Sequence, residues 1–309
     1  MSVTRRTALG LLAAALAASA VAAQSQPEPD PRLVAAADKV ALAHVLTGDP
    51  EIDRTAAAGL AGLSAGLAQR TTVEPGPRVA VDLDSDDLTL LTFLYWPVTE
   101  GQASPSPQAY LRLNQFLRTG GVILFDTRDG DIAGLAGPES SEALRRLAAP
   151  LEVPPLAPLP ADHVLTRSYY LMRDLPGRYQ GQPVWVEATS PPDAAEGPLP
   201  SRNDGVSPVI IGGNAWAEAW AVDANGLPMF TVGRGFDGER QREMALRAGI
   251  NIVMYFLTGN YKSDQVHVPA LLGRLGLEAG DLPPDALPPR DLPADGFGSN
   301  GFGGSGVAP

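Results

Sequence analysis

The run from Pro107 to Asp126 constrains the fold more than any other stretch. Pro107 opens a helical pattern in which Ala109, Leu111, Leu113, Phe116 and Leu117 supply an apolar face. Gly120-Gly121 stops it, because glycine takes the left-handed cap conformation without a steric penalty. Val122 to Phe125 follows as an unbroken apolar run, the pattern of a strand buried on both faces. Two further short strands, Arg78 to Leu83 and Phe93 to Pro97, precede the helix. Strand, strand, helix, glycine stop, strand is βαβ grammar, so the chain is expected to be an α/β protein.

The rest of the sequence fits that class. Leu33, Val40 and the apolar residues up to Leu46 predict a first helix ending at Gly48. Asp49-Pro50 starts a second, with Ile52, Leu60, Leu63 and Leu67 at helical spacing. Gly59, Gly62 and Gly66 weaken that helix and point to close packing against a neighbour. A helix over Ser140 to Ala148 leads to a proline-rich link, Pro150 to Pro160. Beyond it, Val184 to Glu187, Pro208 to Gly212 and Met229 to Val232 read as strands, with a polar loop over Pro191 to Ser207. Glu239 to Leu257 is the strongest helix, capped by Gly259-Asn260, and a last short helix covers Pro269 to Leu275.

Composition narrows the function. A net charge of −12 repels phosphate backbones and anionic lipid, which excludes nucleic acid and the inner-leaflet surface as natural partners. The chain has no cysteine, which removes disulfides, thiolate metal sites and a cysteine nucleophile. Arg5-Arg6, an Ala/Leu run and the small residues Val21-Ala22-Ala23 read as an export leader of twin-arginine type. The expected organisation is a leader over 1–23, a linker over 24–31, one α/β domain over 32–276 and a disordered Pro/Gly tail over 277–309. The expected location is the periplasm, with membrane anchoring only if the leader stays uncleaved. The mature chain is expected to carry no transmembrane span.

Several ordered motifs resemble one family. They include Thr47-Gly48-Asp49, Tyr95-Trp96-Pro97-Val98, Gly120 to Asp129, Asp162 to Thr166, Pro176-Gly177-Arg178-Tyr179, Asp204 to Pro208 and Gly249 to Pro269. Over about Arg32 to Leu275 the chain is similar to the domain-of-unknown-function family 4159. The resemblance implies a flavodoxin-like three-layer sandwich, similar to class I glutamine amidotransferase domains. It also implies kinship with long cell-envelope proteins of aerotolerance operons, and a possible functional link to a MoxR-type ATPase encoded beside them. On that resemblance, the chain is expected to carry only the C-terminal domain of the pattern behind a leader.

The candidate site lies at the end of the Val122 strand. Asp126, Asp129 and Asp131 cluster where open α/β sheets place ligands, and clustered carboxylates suit a divalent cation. Arg128 among them favours an internally paired strand end instead, and no metal is expected. His163, beside Asp162, reads either as a carboxylate-oriented base or as a histidine fixing the start of the next segment. His44 and His267 lie far from it and give no metal-ligand spacing. Gly212-Gly213-Asn214 could cradle a phosphate on backbone amides. Tyr95-Trp96 and Trp216/Trp220 are read as core aromatics. With no cysteine and no Gly-x-Ser-x-Gly elbow, amidotransferase-type hydrolysis lacks its nucleophile. The expectation is a non-catalytic, cofactor-free module that binds an envelope protein or small ligand, with Asp126, Arg128, Asp129 and His163 as candidates. The alternative is a hydrolase using the Asp126–Asp131 strand end with His163.

Overall fold

A computed structural model describes Pro31 and residues 39–130, 142–188 and 205–274, with side chains described as far as Thr258. The chain divides into two compact units, Met1–Asn260 and Tyr261–Pro309. The sheet and its layers belong to the first unit. The second is described only as helical backbone, as far as Arg274.

Seven strands form one sheet: β1 (Ala43–Val45), β2 (Val79–Val81), β3 (Phe93–Pro97), β4 (Val122–Asp126), β5 (Leu156–Pro158), β6 (Trp185–Glu187) and β7 (Val209–Gly212). Their order is β2-β1-β3-β4-β7-β6-β5. The first five in that order run parallel, while β6 is antiparallel to β7 and β5 antiparallel to β6. Five helices are described: α1 (Pro50–Arg70), α2 (Pro107–Arg118), α3 (Glu142–Ala148), α4 (Trp216–Trp220) and α5 (Gly235–Arg274). The chain thus adopts the expected α/β class, and its parallel strands follow a doubly wound order that turns their C-terminal ends to one edge.

Strand alternation builds the two cores. Phe93, Tyr95, Leu124 and Ile210 face one side, where they pack with the apolar stripes of α1, α4 and α5. Leu94, Trp96, Ile123, Phe125 and Ile211 face the other, against α2 and α3. Every residue of β4 is buried, as its unbroken apolar run predicts. Local chemistry starts the helices where the sequence placed them. Asp49 accepts from the Glu51 and Ile52 amides at 2.9 and 3.3 Å to cap α1. Ser106 accepts from the Ala109 amide at 3.2 Å to cap α2, and Pro50 and Pro107 occupy first-turn positions that need no amide.

Five expectations need correction. The first helix fails over Ala43–Val45, which is β1: of its three residues only Ala43 favours a helix, and the segment pairs on both edges with β2 and β3. Residues 32–38 lie outside the described residues. The proline-rich link contains β5, at the sheet edge, where proline costs least. Met229 to Val232 is not a strand. The Asp223 carboxylate accepts from the Asn225 and Leu227 amides, which closes a turn and leaves one isolated bridge, Val222 to Pro228. Leu111 is 67% exposed, and Tyr110 joins the buried stripe of α2 in its place. Finally, α5 runs through Gly259-Asn260 to Arg274 instead of ending at a cap. One interior glycine costs a helix only about 1 kcal/mol against alanine.

Candidate functional site

Asp126 ends β4 with no exposed surface, and its carboxylate is surrounded by donors. Oδ2 accepts from the Tyr95 hydroxyl at 2.8 Å and the Trp216 amide at 2.7 Å. Oδ1 accepts from the Ala215 amide at 3.0 Å and the Arg128 amide at 3.2 Å. Burial pushes its pKa up to about 6, against the pull of those hydrogen bonds and the Arg128 charge. Tyr95 responds in kind: burial and the neighbouring carboxylate raise its pKa well above the ordinary phenol range.

This arrangement answers the phosphate-cradle reading of Gly212-Gly213-Asn214. The amides at the start of α4 do meet an anion, but it is the protein's own carboxylate. Gly213 sits where a Cβ would strike Asp129 Oδ1, and its carbonyl accepts from the Gly130 amide at 2.8 Å. The Asp129 carboxylate in turn accepts from the Thr127 hydroxyl. The Arg128 guanidinium donates to the Val98 carbonyl at 3.4 Å. The loops after β4 and β7 therefore lock together through backbone and short side chains. Asp131 lies outside the described residues. Among those described, no three His, Asp or Glu side chains are grouped as a metal site.

His163 is elsewhere. Its Nδ1 accepts from the Leu165 amide at 3.1 Å, so it caps a 3-10 turn over Val164–Thr166. Its ring packs 5.5 Å from Tyr255, whose hydroxyl accepts from the Ser207 amide, just before β7 begins. Asp126 pairs with Gly212, where β7 ends. The two residues thus sit at opposite ends of the same strand, and burial holds the His163 pKa below the ordinary value. The structure brings Asp126, Arg128 and Asp129 into one loop and leaves His163 out.

The concave feature beside that loop holds about 320 Å³ and is lined by Gly130, Arg178, Tyr179, Gln180, Thr231, Gly233 and Gln241. The Tyr179 amide donates to the Asn214 carbonyl at 3.1 Å and the Arg178 amide to the Ala215 carbonyl at 3.4 Å. The 177–180 segment is thereby tied to the turn that Asp126 organises. Gln241, in α5, donates from Nε2 to the Gly177 and Arg178 carbonyls. Arg178 pairs with Glu218 and lies about 5.8 Å from the Tyr179 ring centre. Residue-by-residue reading missed this wall, because Arg178 and Tyr179 sit 50 positions past the aspartates in a segment without helix or strand periodicity. Their one signal was their place in the Pro176-Gly177-Arg178-Tyr179 motif.

The aromatics are core, as read. Trp216 donates from Nε1 to the Leu175 carbonyl, Trp220 to the Ala245 carbonyl and Trp96 to the Gln102 side chain. His44, on β1, is also buried, in register with Tyr95. No helix among the described residues is long and apolar enough to cross a membrane. The curated proteins contain no match to the chain. The family model for a domain of unknown function, DUF4159, matches residues 41–257, a span that takes in all seven strands. As its motifs implied, the chain belongs to the domain-of-unknown-function family DUF4159.

Proposed function

We propose that this chain is a non-catalytic binding module, exported to the periplasm, that takes an envelope protein or small ligand at the concavity beside the β4 and β7 ends. One observation carries the reading. The carboxylate at the ligand-facing end of the sheet is fully used by four donors of its own chain, two of them amides that would otherwise be open to an anion. A catalytic acid or base needs a free face toward its substrate. The concavity instead offers recognition groups: an arginine, a tyrosine and two glutamines. The leader-like N-terminal sequence and the envelope proteins that the resemblance implies support this reading of the location and the class of partner. The hydrolase alternative loses support, because His163 and Asp126 lie at opposite ends of β7.

The test uses the mature chain as bait in envelope extract, alongside Thr231→Trp, which fills the concavity from an exposed position. The expected result is a partner or ligand retained by the parent and lost by Thr231→Trp. Equal capture by both forms would move the site elsewhere. Turnover of an ester, amide or phosphomonoester that disappears in Asp126→Asn would overturn the non-catalytic reading.

A further inference from the structure

Among the described residues, two non-glycine residues hold a positive φ: Arg128 at 55° and Ala215 at 51°. Left-handed backbone is costly for a residue with a Cβ and open to glycine. Both donate their amide to Oδ1 of Asp126, which fixes the two turns but asks nothing of the side chains, since a glycine would give the same amide. Ala215 is fully buried, so its methyl has a place in the core. Arg128 has no such place. Its side chain is half-buried, Nη2 donates to the Val98 carbonyl at a long 3.4 Å, and Nε is buried without a partner. The carboxylates of its own loop are engaged by other groups, Asp126 by the Tyr95 hydroxyl and backbone amides and Asp129 by the Thr127 hydroxyl. Among the described residues Arg128 forms no ion pair. The chain thus keeps a cation where its backbone favours glycine, with a donor that no group of its own satisfies.

The position suits a ligand. β1 is followed by α1 on one face of the sheet, and its neighbour β3 by α2 on the other. Adjacent strands whose connections part in this way form a topological switch point, where open α/β sheets take ligands at their C-terminal edge. The loop after β3 borders that point. Arg128 reaches this loop at Val98, and Arg146 reaches it from α3, donating to the Glu100 carbonyl at 3.1 Å and the Ser104 hydroxyl at 3.0 Å. Two guanidinium groups therefore meet on one short loop. A guanidinium presents a planar fork that matches a carboxylate, and a chain of net charge −12 repels a single carboxylate less than a polyanion. We propose that Arg128 and the loop after β3 form a binding site for the carboxylate of a small organic acid, flanked by Arg146. The site goes beyond the reading given above and is separate from the concavity: the loop after β4 ties Gly130 to Gly213 on the β7 side and sends Arg128 toward β3.

The test follows amide and guanidinium nitrogen NMR signals of the full chain as sodium acetate replaces sodium chloride at constant ionic strength, and again with sodium phosphate. The Arg128 Nε–H signal and the Thr99 and Gly101 amide signals are expected to shift with acetate and to saturate, with a Kd below about 100 mM. Arg128→Gly keeps the amide and suits the left-handed turn. It is expected to melt no lower than the parent and to bind acetate at least about tenfold more weakly. A response that never saturates, or one that Arg128→Gly retains, overturns the site. A clearly lower melting point in Arg128→Gly would mean that the side chain serves the fold, and overturns it too. Should that variant not fold, the Nε–H signal of the parent decides, and its indifference to acetate sinks the proposal. Tighter binding of phosphate than of acetate overturns the ligand class. Thr231→Trp, in the concavity, is expected to leave the acetate response unchanged, and loss of the response in that variant would place the anion in the concavity instead. Failure here leaves the Thr231→Trp capture result standing, and failure of capture leaves the acetate titration standing.

Discussion

Asn251 has no exposed surface, and its side-chain amide holds one irregular segment at three points. Oδ1 accepts from the Tyr170 amide at 2.7 Å, while Nδ2 donates to the Leu165 and Tyr170 carbonyls at 3.2 and 2.8 Å. The 165–170 stretch has little regular structure of its own, so this residue substitutes for a missing ladder. Asn251→Ala strands one donor and two acceptors away from water. It is expected to destabilise the fold by about 3 kcal/mol, read as a lower urea midpoint with an unchanged slope. Asn251→Asp restores one acceptor but puts a charge against two carbonyls, and should fare no better. An unchanged midpoint in both would show that the segment is held by its apolar contacts alone. The sequence displayed an asparagine within the apolar stripe of a long helix, but nothing nearby in the chain named its partners. They lie 81 and 86 positions away.

Helix α1 shows how far an element can be read before its neighbour is known. The glycines at 59 and 62 meet backbone: a Cβ at Gly59 would overlap the Ala217 carbonyl, and one at Gly62 the Trp220 carbonyl. A Cβ at Gly66 would instead meet the end of the Leu246 side chain, which can turn away. On propensity alone, each glycine to alanine change should stabilise the helix by about 1 kcal/mol. The packing reverses this selectively. Gly62→Ala is expected to destabilise by about 2 kcal/mol, and Gly66→Ala to fall within about 0.5 kcal/mol of the parent. Thermal unfolding of the two variants side by side checks the difference, and equal effects would refute the close α1–α4 contact. Close packing was legible as three glycines in an otherwise good helix, but its partner was not. The partner is a five-residue helix starting from a left-handed alanine, too short for periodicity to show. The same limit hid β1, whose three residues are too few to show an alternating pattern and become a strand through two neighbours distant in sequence.

At the scale of the whole molecule, acid acts on several buried and half-buried groups with opposite signs. His44 and His163 have pKa values lowered by burial, so their contribution is full above the ordinary histidine range and shrinks as pH falls through it. Glu243 is held low first by its hydrogen bond to Arg70, so its contribution is kept at neutrality and lost only in stronger acid. Asp126 runs the other way. Its folded pKa lies near 6, above the ordinary 3.8, so its stabilisation is full below the lower value and is lost as pH rises through the upper. The full difference amounts to about 3 kcal/mol, of which about 1.4 kcal/mol is reached between pH 7.5 and pH 5. The raw stability curve mixes all these groups. The difference between the parent and Asp126→Asn isolates one, since the amide does not titrate. That difference in urea-unfolding free energy is expected to move in favour of the parent as pH falls from 7.5 to 5, whatever its value at neutrality. A difference independent of pH, or moving the other way, would mean that the four donors outweigh burial and that the carboxylate stays ionised throughout. The strand end identified from a run of aspartates would then be a permanent anion filling the place of a ligand, with no response to acid.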